Sequence, residues 1–256
     1  MDRVKDKVAI ITGAARGFGK ASTLTLAKEG ADIAIWDIEI EGAEQAAREV
    51  RDLGRKALAL KVDVTNSAEV NEAVERVLKE FGKIDTLVNN AGILGIAPTI
   101  LNLTDEQWAR ELSVNLTGVF YCTRAVLRHM IERHSGKIIN ISSINAEIGR
   151  PNTSAGYSAA KAGVLGFTMS VARTVAKYGI NVNAICPGII ITELHKAFTP
   201  EQLEAAQADI PFNRGGVEGV HGRPQDIADA VLFLASSESD YITGTRIRVN
   251  GGALMG

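Results

Sequence analysis

Short β-branched apolar runs alternate with amphipathic helical stretches along almost the whole chain, and this alternation is what most constrains its fold. KVAIIT at 7–12 reads as a buried strand, and GFGKASTLTLAKEG at 17–30 as a helix closed by Gly30. DIAIW at 32–36 is the next strand, followed by a helix over 41–54 that again ends in glycine. KALALKV (56–62), a helix over 67–82 and KIDTLV (83–88) continue the series. Thr104 and Gln107 have capping-box spacing and open an amphipathic pattern that runs to about His134. Strands at 136–142, 180–185 and 246–250 follow, with a long helix reaching Lys177 and another after Pro224 between them. Parallel neighbours need a crossover, usually a helix, so repeated βαβ predicts an α/β fold: one doubly wound parallel sheet with helices on both faces. No Ser/Gly/Pro-rich linker divides the sequence, which predicts a single domain over 1–256. The least regular stretch, 189–223, reads as a long loop with a short helix near 200–208, a candidate substrate lid.

Composition excludes several function classes. A net charge of −2, with no basic run, gives no electrostatic draw towards nucleic acid or an anionic membrane. The start, MDRVKDK, is charged and leads into no long apolar stretch, which argues against a signal peptide, and no apolar run approaches the ~18 residues of a membrane span. Cys122 and Cys186 lie far apart without metal-ligand spacing, as expected of two reduced core thiols in a cytoplasmic protein with no catalytic metal.

The first strand-to-helix turn, TGAARGFG, places Gly13, Gly17 and Gly19 where backbone passes close to a pyrophosphate and a helix N-terminus offers free N–H groups. A phosphate-loop NTPase fits worse, because Ala14 and Ala21 stand where it needs glycine and Ser/Thr. Asp37, eighteen residues past Gly19 and directly after the second strand, is placed to accept both adenosine ribose hydroxyls and to repel a 2′-phosphate. Arg16 acts in the opposite sense, but a like-charge clash outranks a distant attraction, so NAD is expected over NADP.

YSAAK sets Tyr157 and Lys161 at i and i+4 on one helical face, a plausible acid/base pair. By itself this spacing arises easily by chance. The surrounding residues give it context: TGAARGFG, NNAG (89–92), SVN with Asn115, ISS with Ser143, Y-x-x-x-K, CPG (186–188) and YITGTRIRVNGG. Together, in order and across nearly the whole chain, these resemble the short-chain dehydrogenase/reductase family in its NAD-preferring branch, and the resemblance implies a Rossmann-like sheet. Two positions depart from the family pattern. Ile144 stands thirteen residues before the tyrosine, where the family usually has its serine, so Ser143 is assigned by its place at the fifth strand's end, with Ser142 as runner-up. Asn250 replaces the usual aspartate of the last motif, a change read as structural.

The resemblance implies hydride transfer between a nicotinamide and a secondary alcohol or ketone. Tyr157 would be the general acid/base, and Lys161 would lower its pKa and hold the nicotinamide ribose. Ser143 would bind the substrate oxygen, and Asn115 would hold a water linking Lys161 to solvent. Besides Gly13, Gly17, Gly19 and Asp37, cofactor contacts carry over to Arg16, Phe18, Asp63, Val64, Asn90, Ala91, Gly92, Pro187, Gly188, Ile190 and Thr192. Asn145, Glu147 and Asn152 are candidates to hold a second hydroxyl, which favours a polyol, sugar or small diol. Ile93, Leu94, Ile96, Ile189 and Phe198 are the alternative, a slot for an apolar cyclic ketone or hydroxysteroid. His195 and His221 receive no role. A catalytically silent NAD-sensing regulator is the rival class. The family commonly forms tetramers, and the helices at 104–134 and 154–178 are candidate interfaces for a homotetramer.

Overall fold

The structure is a computed structural model, in which residues 2–95, 99–150, 153–190, 192, 199, 201, 210–212 and 222–256 are described. The expected strands form as β1 (Val8–Thr12), β2 (Asp32–Asp37), β3 (Ala57–Lys61), β4 (Thr86–Asn89), β5 (Gly136–Ile141), β6 (Ile180–Pro187) and β7 (Arg246–Val249). They pair in one parallel sheet of order β3-β2-β1-β4-β5-β6-β7. Helices α1 (Gly17–Lys28), α2 (Ile40–Asp52) and α3 (Ser67–Phe81) make the first crossovers. They are followed by α4 (Asp105–Leu112), α5 (Gly118–Glu132), α6 (Asn145–Ile148), α7 (Ala155–Val175) and α8 (Pro224–Ala235).

All five residues of β1 are buried because both faces of the sheet are covered, which is why the parallel strands read as unbroken apolar runs. Alternation still decides which face each serves. Ala9 and Ile11, with Ile33 and Ile35, join the core beneath α1, α2 and α8, whereas Val8 and Ile10, with Ala34 and Trp36, join the core beneath α3, α5 and α7. Local chemistry sets several helix ends. Asn66 caps α3 by accepting from the Ala68 and Glu69 amides, and Gly82 closes that helix in the left-handed region.

The pattern opened by Thr104 departs from expectation at one place. Thr104 and Gln107 form the reciprocal capping box, but the helix is not one continuous α-helix to His134. A five-residue π-turn, Ser113–Thr117, separates α4 from α5 and carries Asn115. The extra residue in this turn shifts the side chains after it around the helix, as π-turns at functional sites commonly do. Most of 189–223, including the short helix expected near 200–208, lies outside the described residues; within it, Ile190 bridges Gly222 in parallel fashion.

Candidate active site

Chain order reverses between β1 and β4, the place in an open α/β sheet where loops diverge and leave a crevice. A cavity of about 850 Å³ opens there, at the carboxyl ends of the strands. At its floor two turns are clasped together. The Thr12 hydroxyl accepts from the amides of Asn90 (3.0 Å) and Ala91 (2.9 Å), and Asn90 Nδ2 donates to the carbonyls of Thr12 (2.9 Å) and Gly13 (2.8 Å). Glycine is needed at this crossing. Gly13 has φ +63°, and a Cβ there would lie 2.7 Å from Ala91 Cα; a Cβ on Gly19 would lie 2.3 Å from the Gly13 carbonyl oxygen. The cradle left by these missing side chains, at the N-terminus of α1, fits a dinucleotide pyrophosphate. Gly19→Ala is therefore expected to lower stability by about 1–3 kcal/mol and to weaken dinucleotide binding about tenfold or more. Thermal melts with and without NADH read both effects, and an unchanged ligand-induced shift would count against the cradle.

Asp37 ends β2 at the far side of the cavity. Its carboxylate accepts from the Ala15 amide (2.9 Å) and the Glu39 amide (2.9 Å), so it fixes the glycine turn while lining the cavity. Arg16 also lines the cavity, but its guanidinium pairs with Glu39 at 3.0 Å and stays half exposed. Asp63 accepts from the Thr65 amide and hydroxyl, and with Val64 it forms the wall beyond Asp37. Phe18, Asn90, Ala91 and Gly92 line the same cavity, as do Pro187, Gly188, Ile190 and Thr192. Gly188 sits so close to Asn250 that a Cβ would come within 2.7 Å of its Cα, while the Asn250 side chain holds the Leu254 carbonyl and the Gly252 amide.

Ser143, Tyr157, Lys161 and Asn115 converge at the other end of the cavity. Ser143 follows β5, its oxygen accepting from the Asn145 amide (3.1 Å), and it is hydrogen-bonded to the Tyr157 phenol. Ser142 turns the other way and donates to the Lys161 carbonyl (2.8 Å) inside the wall. Ile144, at the family's usual serine position, is buried, and its amide binds the Pro187 carbonyl. Lys161 is buried, with Nζ donating to the Ile141 carbonyl (2.9 Å) and standing 5.8 Å from the Tyr157 ring centre.

Lys161 was expected to lower the tyrosine pKa. Burial pushes Tyr157 above its ordinary value, outweighing the Ser143 hydrogen bond, and also brings Lys161 down to about 8. Desolvation is the largest influence on each of the two groups. The Asn115 side chain is engaged with the chain itself: Nδ2 donates to the Ile93 carbonyl (3.0 Å) and Oδ1 accepts from the Ile93 amide (3.1 Å). It therefore fixes the loop after β4. Gly92 makes room for this arrangement, since a Cβ there would lie 2.8 Å from Asn115 Oδ1 and 3.5 Å from Lys161 Nζ.

The candidate substrate contacts divide. Asn145 lines the cavity and donates to the Thr153 hydroxyl (3.2 Å), and Ile93, Leu94 and Ile189 supply apolar wall. Glu147 does not line it: its carboxylate is held by Arg246 (3.0 Å) and by Arg248 Nε (2.9 Å), which keep its pKa below the ordinary range. Ile96, Asn152, His195, Phe198 and His221 lie outside the described residues. The sequence reading missed Thr153, Arg110 and Arg150, all of which line the cavity but belong to no motif. Among the described residues, no group of three His, Cys, Asp or Glu side chains is placed to hold a metal ion.

The family model described as short chain dehydrogenase matches residues 7–203. A 3-oxoacyl-[acyl-carrier-protein] reductase of Thermotoga maritima is 39% identical over 253 residues, covering 99% of this chain and all of the relative. The enzyme of the same name from Vibrio cholerae is 41% identical over 253 residues, covering 98% and 99% of the two chains. Among solved structures, a putative short-chain alcohol dehydrogenase from Sinorhizobium meliloti superposes with a TM-score of 0.90 at 32% identity, covering 98% of this chain and 97% of that one. The protein gox2181 gives 0.92 at 34% identity, over the same shares.

Proposed function

The chain belongs to the short-chain dehydrogenase family, oxidoreductases that work with a nicotinamide cofactor, and from that premise we propose that it is an NAD(H)-dependent enzyme interconverting a ketone and a secondary alcohol. One observation carries the reading: Ser143, Tyr157 and Lys161 meet at one end of a cavity whose other end is walled by Asp37. The glycine cradle would hold the pyrophosphate, Asp37 the adenosine ribose and Lys161 the nicotinamide ribose. The bound cofactor supplies the hydride. Tyr157 gives its proton to the ketone oxygen or takes it from the alcohol, and Ser143 orients that oxygen.

For the substrate, the second-hydroxyl argument loses Glu147 to its arginines, which weakens the case for a polyol or sugar. The relatives' name favours a 3-oxoacyl thioester, whose ketone undergoes the same chemistry. An apolar cyclic ketone or hydroxysteroid keeps only the support of Ile93, Leu94 and Ile189. The first test follows NADH absorbance with a 3-oxoacyl thioester, a polyol-derived ketone and a cyclic ketone. Turnover with none of them, while NADH still binds, would favour the NAD-sensing regulator.

A pH series gives a second check. Lys161 titrates at about 8, while Tyr157 keeps its proton well above that. If the lysine cation is needed, kcat/KM for ketone reduction is level at lower pH and falls about tenfold per unit once pH passes 8. A level profile through pH 9 would remove that charge from the reaction.

The proposed enzyme is a single cytoplasmic catalytic domain with 189–223 as its substrate segment. Among the described residues no helix is long and apolar enough to cross a membrane, and both cysteines are buried and unpaired. A homotetramer is supported by the exposed Phe120 on α5, which meets Phe167 of α7 edge-on. Light scattering on the purified protein tests that assembly.

A further inference from the structure

The cavity wall carries two arginines with no carboxylate partner among the described residues, and the acids nearest to them in sequence are each held elsewhere. Arg110, on α4, follows Glu106 by one helical turn, but the Glu106 carboxylate turns back to its own amide and to Thr104 at the head of the helix. Its neighbour Glu111 is buried and accepts from the Ser154 hydroxyl at 2.6 Å. Arg150 follows α6, whose Glu147 is held by Arg246 and Arg248. Among the described residues, no carboxylate approaches either guanidinium closely enough for an ion pair. Glu201, an acid on the same cavity, is bound to Thr199 and to its own amide.

Both arginines line the cavity, and the elements that carry them meet in its wall. Glu111, next to Arg110, touches Ser154, while the Thr153 amide donates to the Arg150 carbonyl (3.2 Å) and the Thr153 hydroxyl accepts from Asn145. α4 and the loop between α6 and α7 therefore meet there, beside Ser143 and Asn145. The dinucleotide phosphates have their own seat at the glycine turn, on a different pair of elements. Two unpaired guanidiniums cost little beside solvent, yet a ligand anion between them gains charge-assisted hydrogen bonds from donors whose fork suits bidentate contact.

We infer that the substrate is an anionic ketone or secondary alcohol, with a carboxylate or phosphate seated between Arg110 and Arg150 a short carbon chain from the reacting oxygen. This rests on the dehydrogenase reading above.

The test uses the full-length protein, NADH and matched pairs of ketones: levulinate against its methyl ester, and dihydroxyacetone phosphate against dihydroxyacetone. The carboxylate and phosphate arms distinguish the two anions. The expected result is that kcat/KM favours the anionic member of at least one pair by about tenfold or more, with a preference that shrinks as salt rises. Arg150→Gln and Arg110→Gln each reduce that ratio, and the double variant brings it close to one; Arg150→Lys restores part of it. NADH binding by fluorescence shows that the variants are folded. Equal or better turnover of the neutral members overturns the inference and leaves the dehydrogenase reading standing. An unchanged ratio in the variants with weakened NADH binding also overturns it, because the arginines then serve the dinucleotide. Absence of turnover with every ketone, NADH still binding, overturns both.

Discussion

Tyr157→Phe is expected to reduce turnover about 10³-fold while leaving NADH affinity within a factor of about three. Positioned general acid–base catalysis contributes about 10² to 10⁴ in rate, and the phenol is the group hydrogen-bonded to Ser143 at the reacting end of the cavity. Phenylalanine keeps the ring and its packing. It also leaves Lys161 on the Ile141 carbonyl and the glycine cradle untouched, so the dinucleotide site is preserved. The change thus separates chemistry from binding. The measurement is kcat for ketone reduction together with NADH titration by fluorescence. Retention of more than about a tenth of wild-type kcat would take the proton-transfer role away from Tyr157. Loss of NADH binding along with kcat would mean that the variant had damaged the fold, and Ser143→Ala would then replace it as the probe.

Asp37→Ser is expected to shift the ratio of kcat/KM for NADP over NAD upward by about 10²-fold. Two opposing effects follow from the geometry. The carboxylate accepts two backbone amides, from Ala15 and Glu39, and losing them loosens the glycine turn by about 1 kcal/mol each. That loss weakens both dinucleotides alike and cancels in the ratio. What survives is removal of a negative charge from the place a 2′-phosphate would occupy, worth a few kcal/mol at ~4 Å in a partly screened site. Arg16 reinforces the change, because its exposed pairing with Glu39 is worth under ~1 kcal/mol and is readily exchanged for a phosphate. Adding Arg16→Gln should therefore remove part of the gain. A wild-type protein that already uses both dinucleotides equally, or a ratio unmoved by Asp37→Ser, would overturn the assignment of Asp37 as the discriminating residue.

What the sequence revealed tracks how local each determinant is. The strands were readable because a parallel sheet covered on both faces demands unbroken apolar runs, as in VAIIT of β1. The glycine turn was readable because its requirement, close approach of backbone, is met within eight residues. Glu147 was misplaced because its partners, Arg246 and Arg248, stand about a hundred residues away on β7, where no periodicity links them. Asn115 lay inside a pattern that looked like uninterrupted α-helix, and a π-turn leaves the apolar rhythm nearly intact while changing where one side chain points. The raised Tyr157 pKa had no trace in YSAAK, because the spacing gives the charge and the tertiary packing gives the desolvation. Arg110 and Arg150 escaped notice for a related reason: an unpaired cation is defined by partners that are absent from its side.

The clasp between Thr12 and Asn90 joins residues 78 positions apart, at the end of β1 and just past its later-made neighbour β4 at the centre of the sheet. During synthesis the first turn emerges with β1 and β2, but its floor is still missing, and one edge of β1 stays open until β4 inserts. The cofactor therefore has nothing complete to grasp in a nascent or truncated N-terminal piece. A dinucleotide acts instead as a final latch on the closed sheet, stabilising the assembled form by mass action and offering no help to its parts. Abundance of the working protein in a cell would accordingly follow the dinucleotide pool, through protection of finished molecules from proteolysis.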